Sequence, residues 1–204
     1  MTKKSRFLWY ILFLLSVVGF NISCSDDSNI EDHPVTTRTT PVTATRASVQ
    51  QTYPSVTEII ANPTVKTAMN KAWSNMKSAA SSSGRSEYGF YIYYDSNTKT
   101  YTCGSMVKGP NISGCEGTNA SVSLGKVTNN LTVCAFFHCH TTLQYCPPTV
   151  SRTTGPSSAD RTFAESNKLP GILYDYSTGT LVGGTSKDAS YKIYTFGPTK
   201  RTLY

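Results

Sequence analysis

A chain of 204 residues, 38% hydrophobic and 11% aromatic, has enough apolar mass for one domain with a real core and too little for two large ones. Only 15% of it is charged and it carries 13 tyrosines, with Thr, Ser and Gly abundant, which disfavours a charge-rich helical bundle and favours an α+β class with many strands and turns. The formal net charge is +7, yet beyond the first few residues no Lys/Arg cluster is interleaved with aromatics, so nucleic-acid binding is left without support.

The chain opens with Lys3, Lys4 and Arg6, followed by an apolar run from Phe7 to Phe20. This is the pattern of a signal peptide and is short for a transmembrane helix. The run ends in "NISC". A cysteine there, preceded by the small Ser23, resembles the lipobox of bacterial lipoproteins, although Asn21 stands where a Leu is usual. The "SDDSN" that follows resembles the acidic signal that sends Bacteroidetes lipoproteins to the outer face of the outer membrane. These likenesses imply a signal peptide over residues 1–23, a lipid on Cys24, and attachment to the outer membrane through that lipid. Residues 1–23 hold three of the 19 basic side chains and none of the 12 acidic ones, so the mature chain carries +4.

Residues 24–53, with "HPVTTRTTPVTATRAS" at their centre, are rich in Thr and Pro and lack a sustained period, as expected of a flexible tether. His33 falls in it and is assigned no role. The domain is expected over 54–204. Its first predicted element is "NPTVKTAMNKAWSNMKSAA", where Asn62 is a good N-cap and Pro63 suits the first helical position. Val65, Met69, Trp73 and Met76 follow at helical spacing, a stripe that reads as a core-packing face rather than a ligand box.

From Glu87 the pattern turns to strands. "YGFYIYYD" and "KTYTCGSMV", broken by "SNT", predict a hairpin, and "NASVSL" and "NNLTVCAFFHCH" predict further strands. In the last of these, a period of two puts Cys134, Phe136, His138 and His140 on one face, with Val133, Ala135, Phe137 and Cys139 on the other. Two imidazoles on the same side suit a metal pair, but H-x-H alone also suits a packed wall, and zinc needs a third protein ligand. "GPSSADRTFAESNKLPG" then predicts a short helix to about Asn167, with Ser157 as N-cap and Asp160 favoured by the helix dipole. "LPGILYDY" predicts a hydrophobic strand after it.

The order Glu, H-x-H at a strand end, S-x-x-D at a helix start, then a Pro-led strand resembles the JAB1/MPN/Mov34 metalloenzyme family, over roughly Glu87 to Phe196. The combination of an amphipathic helix, "EYGF", H-x-H and "GPSSAD" is also similar to a group of Bacteroidetes lipoproteins. The family resemblance implies a mixed central β-sheet flanked by helices, with the amphipathic helix N-terminal to it. It makes His138, His140 and Asp160 the ligands of a Zn2+ ion, Ser157 a hydrogen-bond donor beside the metal-bound water or the developing oxyanion, and Glu87 the general base. The sequence departs from the family in three places. Thr141 stands where a Pro usually follows the second His, residues 141–156 form an insert expected to cover the site as a lid or substrate loop, and "EYG" is one residue short of E-x-x-G. Glu116, in "GCEGT", is the alternative base.

The chemistry so implied is metal-assisted hydrolysis of a peptide or isopeptide bond in a peptide or protein substrate. A zinc deaminase would need H-x-E and P-C-x-x-C, which are lacking. A cysteine hydrolase built on Cys139 would need a neighbouring His on its own face. The competing function is a non-catalytic surface lipoprotein that uses the same fold for binding or adhesion. With Cys24 lipidated, five cysteines remain. Spacing suggests bridges Cys103 to Cys115 and Cys139 to Cys146, with Cys134 buried as a free thiol.

Overall fold

The computed structural model describes residues 52–115, 120–126, 132–184 and 190–202. The signal segment 1–23, Cys24, the tether up to residue 51 and Glu116 lie outside the described residues. In chain order the elements are α1 (Val56–Ala61), α2 (Pro63–Ala79), β1 (Tyr88–Asp95), β2 (Thr100–Cys103), β3 (Val107–Lys108), β4 (Val133–Cys139), β5 (Ser151–Thr153), α3 (Ser158–Asn167), β6 (Gly171–Tyr176), β7 (Thr180–Val182) and β8 (Tyr191–Phe196). The class is α+β, as expected. Among the described residues no helix is long and apolar enough to cross a membrane.

Helix α2 starts as its sequence demands: the Asn62 side chain accepts from the N–H groups of Thr64 and Val65, and Pro63 occupies a position where no donor is lost. Val65, Met69, Ala72, Trp73 and Met76 are buried on one face of the sheet. Helix α1 is an element that the sequence pattern does not predict. It is held by a capping box between Ser55 and Glu58, and Ile59 anchors it in the core. Tyr53, the last residue assigned to the tether, is buried in the same core.

The main sheet has the order β2-β1-β4-β6-β8, with β3 pairing the start of β1. Strands β4 and β6 are parallel because α3 returns the chain between them, and the other pairings are antiparallel. Strand β4 is central and buried along its whole length. One face packs on α2, while Phe136, Leu173 and Phe196 pack with Ala164 and Phe163 of α3 on the other. The expected alternation holds from Ala135 onward, with Phe137 and Cys139 in the α2-side core and Phe136 and His138 on the α3 side. It fails before that. Ile92 pairs with Ala135 and Tyr93 with Val133, so Cys134 is an extra, bulged residue that turns into the α2-side core, away from the histidines.

The predicted strand in "NASVSL" does not form over its described residues, 120–124. This segment crosses so close to Gly109 that a Cβ there would sit 2.0 Å from the carbonyl oxygen of Ser121. The insert contains β5, which pairs with β7 in a second, two-stranded sheet. It forms part of a cleft wall rather than a separate flap, since Thr141 and the run Arg152 to Pro156 line the cleft.

Neither expected disulfide is present. Cys115 is bonded to Cys146, and Cys103, Cys134 and Cys139 are free. Cys139 shares the α2-side core with Cys146, but its Sγ lies on the helix, 3.7 Å from the carbonyl of Ala72, and Cys146 is taken by Cys115. Cys103 ends β2 opposite Ile92. The segment carrying Cys115 instead returns beside Arg85, whose backbone exchanges hydrogen bonds with Ile112, and there meets the insert with a Cα separation of 5.6 Å between Cys115 and Cys146.

Candidate metal centre

The C-terminal end of β4 opens into a cleft of about 740 Å³ lined by Glu87, His138, His140, Arg152, Ser157 and Asp160 among others. Strand β4 supplies His138. His140 lies one residue past the strand end, where its backbone N–H still donates to Tyr174 of β6 at 3.1 Å. The two imidazoles share a side, with ring centres 5.2 Å apart. Asp160 comes from the first turn of α3.

The two sequence readings of Ser157 and Asp160 turn out to describe one arrangement. Ser157 is the N-cap, accepting from the Asp160 N–H at 3.2 Å, while its own N–H and hydroxyl donate to Asp160 Oδ2 at 2.7 Å each. That capping box aims the carboxylate at the histidines. Asp160 Oδ1 is 3.2 Å from His138 Nε2, and Oδ2 is 3.4 Å from His140 Nε2. The three ligand atoms, one from each residue, lie within 4.8 Å of one another.

These residues fit zinc. Ligands about 2.1 Å from a tetrahedral ion lie roughly 3.4 Å from one another, close to the separations found here, and two imidazole nitrogens with one carboxylate oxygen form a familiar zinc set. His138 Nε2 points the same way: it is buried, close to Asp160, and makes no hydrogen bond. A buried nitrogen in that condition is costly unless something accepts its lone pair.

Electrostatics bind the group together. Burial alone would lower the pKa of His140, but hydrogen bonds to Asp160 and Asp175 outweigh it and push the value up to about 9. Burial acts on Asp160 in the opposite sense and is overcome by the nearness of His138 and His140 and by the Ser157 hydroxyl donated to it, which hold the carboxyl well below the usual range. Glu87, immediately before β1, is 7% exposed. Burial raises its pKa, and the charges of His140 and His138 only partly offset that, so Glu87 shares the site without bonding to it.

Two further residues escape a sequence reading. Asp175 of β6 is fully buried, 2.9 Å from His140 Nδ1 through Oδ2, and its pKa is depressed because bonds to Arg152 and His140 overcome burial. Arg152 of β5 grips both oxygens of Asp175, at 2.6 and 2.8 Å. A signal existed in the string: an aspartate inside the apolar run "GILYDY" needs a partner. Comparison with family models, curated proteins and solved structures finds no match to this chain.

Proposed function

We propose that this protein is a zinc-dependent hydrolase of peptide or isopeptide amide bonds, of the JAB1/MPN/Mov34 type, held at the outer membrane by a lipid on Cys24. The observation that carries the reading is the convergence of His138, His140 and Asp160, with His138 Nε2 buried and making no hydrogen bond and Glu87 buried in the same cleft. Zinc bound there supplies Lewis acidity, making water a nucleophile near neutral pH and drawing charge from the carbonyl under attack. Glu87 takes the proton of the attacking water and hands it to the leaving amine. A carboxyl whose proton affinity is raised by burial suits both halves of that task. Ser157 orients Asp160 through the capping box, and its one hydroxyl proton, held on Asp160 Oδ2, would have to turn from that carboxylate to the substrate to serve the oxyanion. The cleft volume falls within the range that takes a drug-sized ligand or a short peptide segment. The lipid anchor rests on "NISC" and "SDDSN".

The test is metal content together with hydrolysis of quenched-fluorescent peptides and lysine-linked isopeptides. The unmodified protein is expected to hold one zinc per chain. Asp160→Ala should lose the zinc, and Glu87→Gln should keep it while hydrolysis falls by about 10²–10⁴. Full zinc in the Asp160→Ala protein would falsify the ligand set. Zinc without turnover of any substrate would favour a binding protein.

A further inference from the structure

We infer that Asp175 is the positioning residue of this centre: it holds the His140 proton on Nδ1, which commits Nε2 to the metal, and Arg152 of the inserted segment is its counter-ion. The inference rests on the zinc reading above. His140 offers two nitrogens, Nε2 facing Asp160 and Nδ1 facing Asp175 at 2.9 Å, and only a nitrogen without a proton can ligate. Which one is free follows from the company Asp175 keeps. Besides His140, its carboxylate receives both Nη1 and Nη2 of Arg152, the N–H of Gly155 at 2.8 Å and the N–H of Tyr176 at 2.8 Å. Those four partners can only donate, and the bidentate guanidinium keeps the carboxylate ionised, so Asp175 is an acceptor on every side. The His140 contact therefore has its proton on Nδ1.

The same carboxylate reaches a second ligand. Gly155 has φ +101°, a conformation a larger residue resists, and its N–H is tied to Asp175. The turn it anchors leads through Pro156 to Ser157, the cap that aims Asp160. Arg152 closes the third side by donating to the carbonyl of Thr141 at 2.9 Å, next to His140. One buried ion pair thus registers both His140 and the approach to Asp160. It also gives the insert a purpose, since β5 carries the guanidinium that lets a carboxylate remain charged with no solvent exposure.

Two measurements test this. In the zinc-loaded protein, ¹⁵N NMR of the histidine rings should show His140 protonated at Nδ1 and ligated at Nε2. That readout needs no variant and is blind to a purely structural role. Competition with a chromophoric chelator should show zinc affinity falling 10–100-fold in Asp175→Asn, and falling also in Arg152→Gln. Ligation through Nδ1, or an Asp175→Asn protein that loses melting temperature but keeps its zinc affinity, overturns the positioning role and leaves the zinc reading standing. If the unmodified chain takes up no zinc, the zinc reading fails and this inference falls with it.

Discussion

His140 answers to protons as well as to metal, and the two compete. Its pKa of about 9 without metal, against about 6.5 in an unfolded chain, means the folded state binds its proton more tightly. The stability this gives is complete below pH 6.5 and is lost as pH rises through about 9. Glu87 acts in the same direction, because its raised pKa makes ionisation of the buried carboxyl unfavourable to the fold as pH climbs. Zinc binding expels the Nε2 proton of the His140 imidazolium and leaves the one on Nδ1, so zinc affinity should rise with pH over the same window, by up to about tenfold per unit. Melting temperatures at pH 6, 7.5 and 9, with and without chelator, check this. The metal-free protein should weaken with rising pH while the zinc-induced shift grows, and parallel curves would contradict it. At this scale the candidate ligands were legible because each signal is local: a period of two for H-x-H, and a helix start for Asp160. Asp175 was not, because what it does depends on Arg152, 23 positions earlier and delivered by a separate two-stranded sheet.

Trp73 shows what an element contributes. Its indole lies 5.0 to 6.5 Å from the rings of Tyr174, Tyr176 and Tyr191, so helix α2 clamps β6 and β8, and β6 carries Asp175. Truncation to Ala should cost about 3–5 kcal/mol in urea unfolding. A loss below about 1 kcal/mol would mean that α2 is not part of the cooperative core. Helices α2 and α3 and strands β1 and β6 were readable from periodicity and caps, because their patterns are long enough to be carried by one segment. Shorter pieces depend on partners that sequence does not display. Six-residue α1 is below the length at which a helix stands alone, and it persists through its capping box and buried Ile59. "NASVSL" alternates like a strand, yet β1 already has β2 and β3 on one side and β4 on the other, so no edge of β1 is left to receive it. The bulge at Cys134 is set by its register against β1, which no reading of β4 alone could reveal.

Across the whole molecule, the Cys115–Cys146 bridge joins the segment after β3 to the insert, and Arg85 spans the same two pieces through Gly114 and Thr141. Closing 31 residues in this way should stabilise the fold by about 3–4 kcal/mol on loop-closure grounds. The paired Cys115→Ala, Cys146→Ala variant, unfolded in urea beside the oxidised parent, measures it, and equal midpoints would remove the bridge from the stability account. The bridge also imposes a sequence in time. Cys103 and Cys134 have their thiols pushed up to about 11 and about 12 by burial, and Cys139 is raised further still, so in the folded state all three are slow to react. None of that protection exists before the sheet forms. An oxidant meeting the unfolded domain finds the thiols at 103, 115, 134, 139 and 146 comparable, and Cys134 to Cys139 and Cys139 to Cys146, five and seven positions apart, both close shorter loops than the native pair. Oxidising the protein in denaturant and quenching with acid should therefore trap Cys134–Cys139 and Cys139–Cys146 ahead of Cys115–Cys146, whereas oxidation after refolding should give the native bridge alone. On this account the native bridge needs the fold before the oxidant, because either early pairing locks Cys139 into a bond that the folded core does not contain.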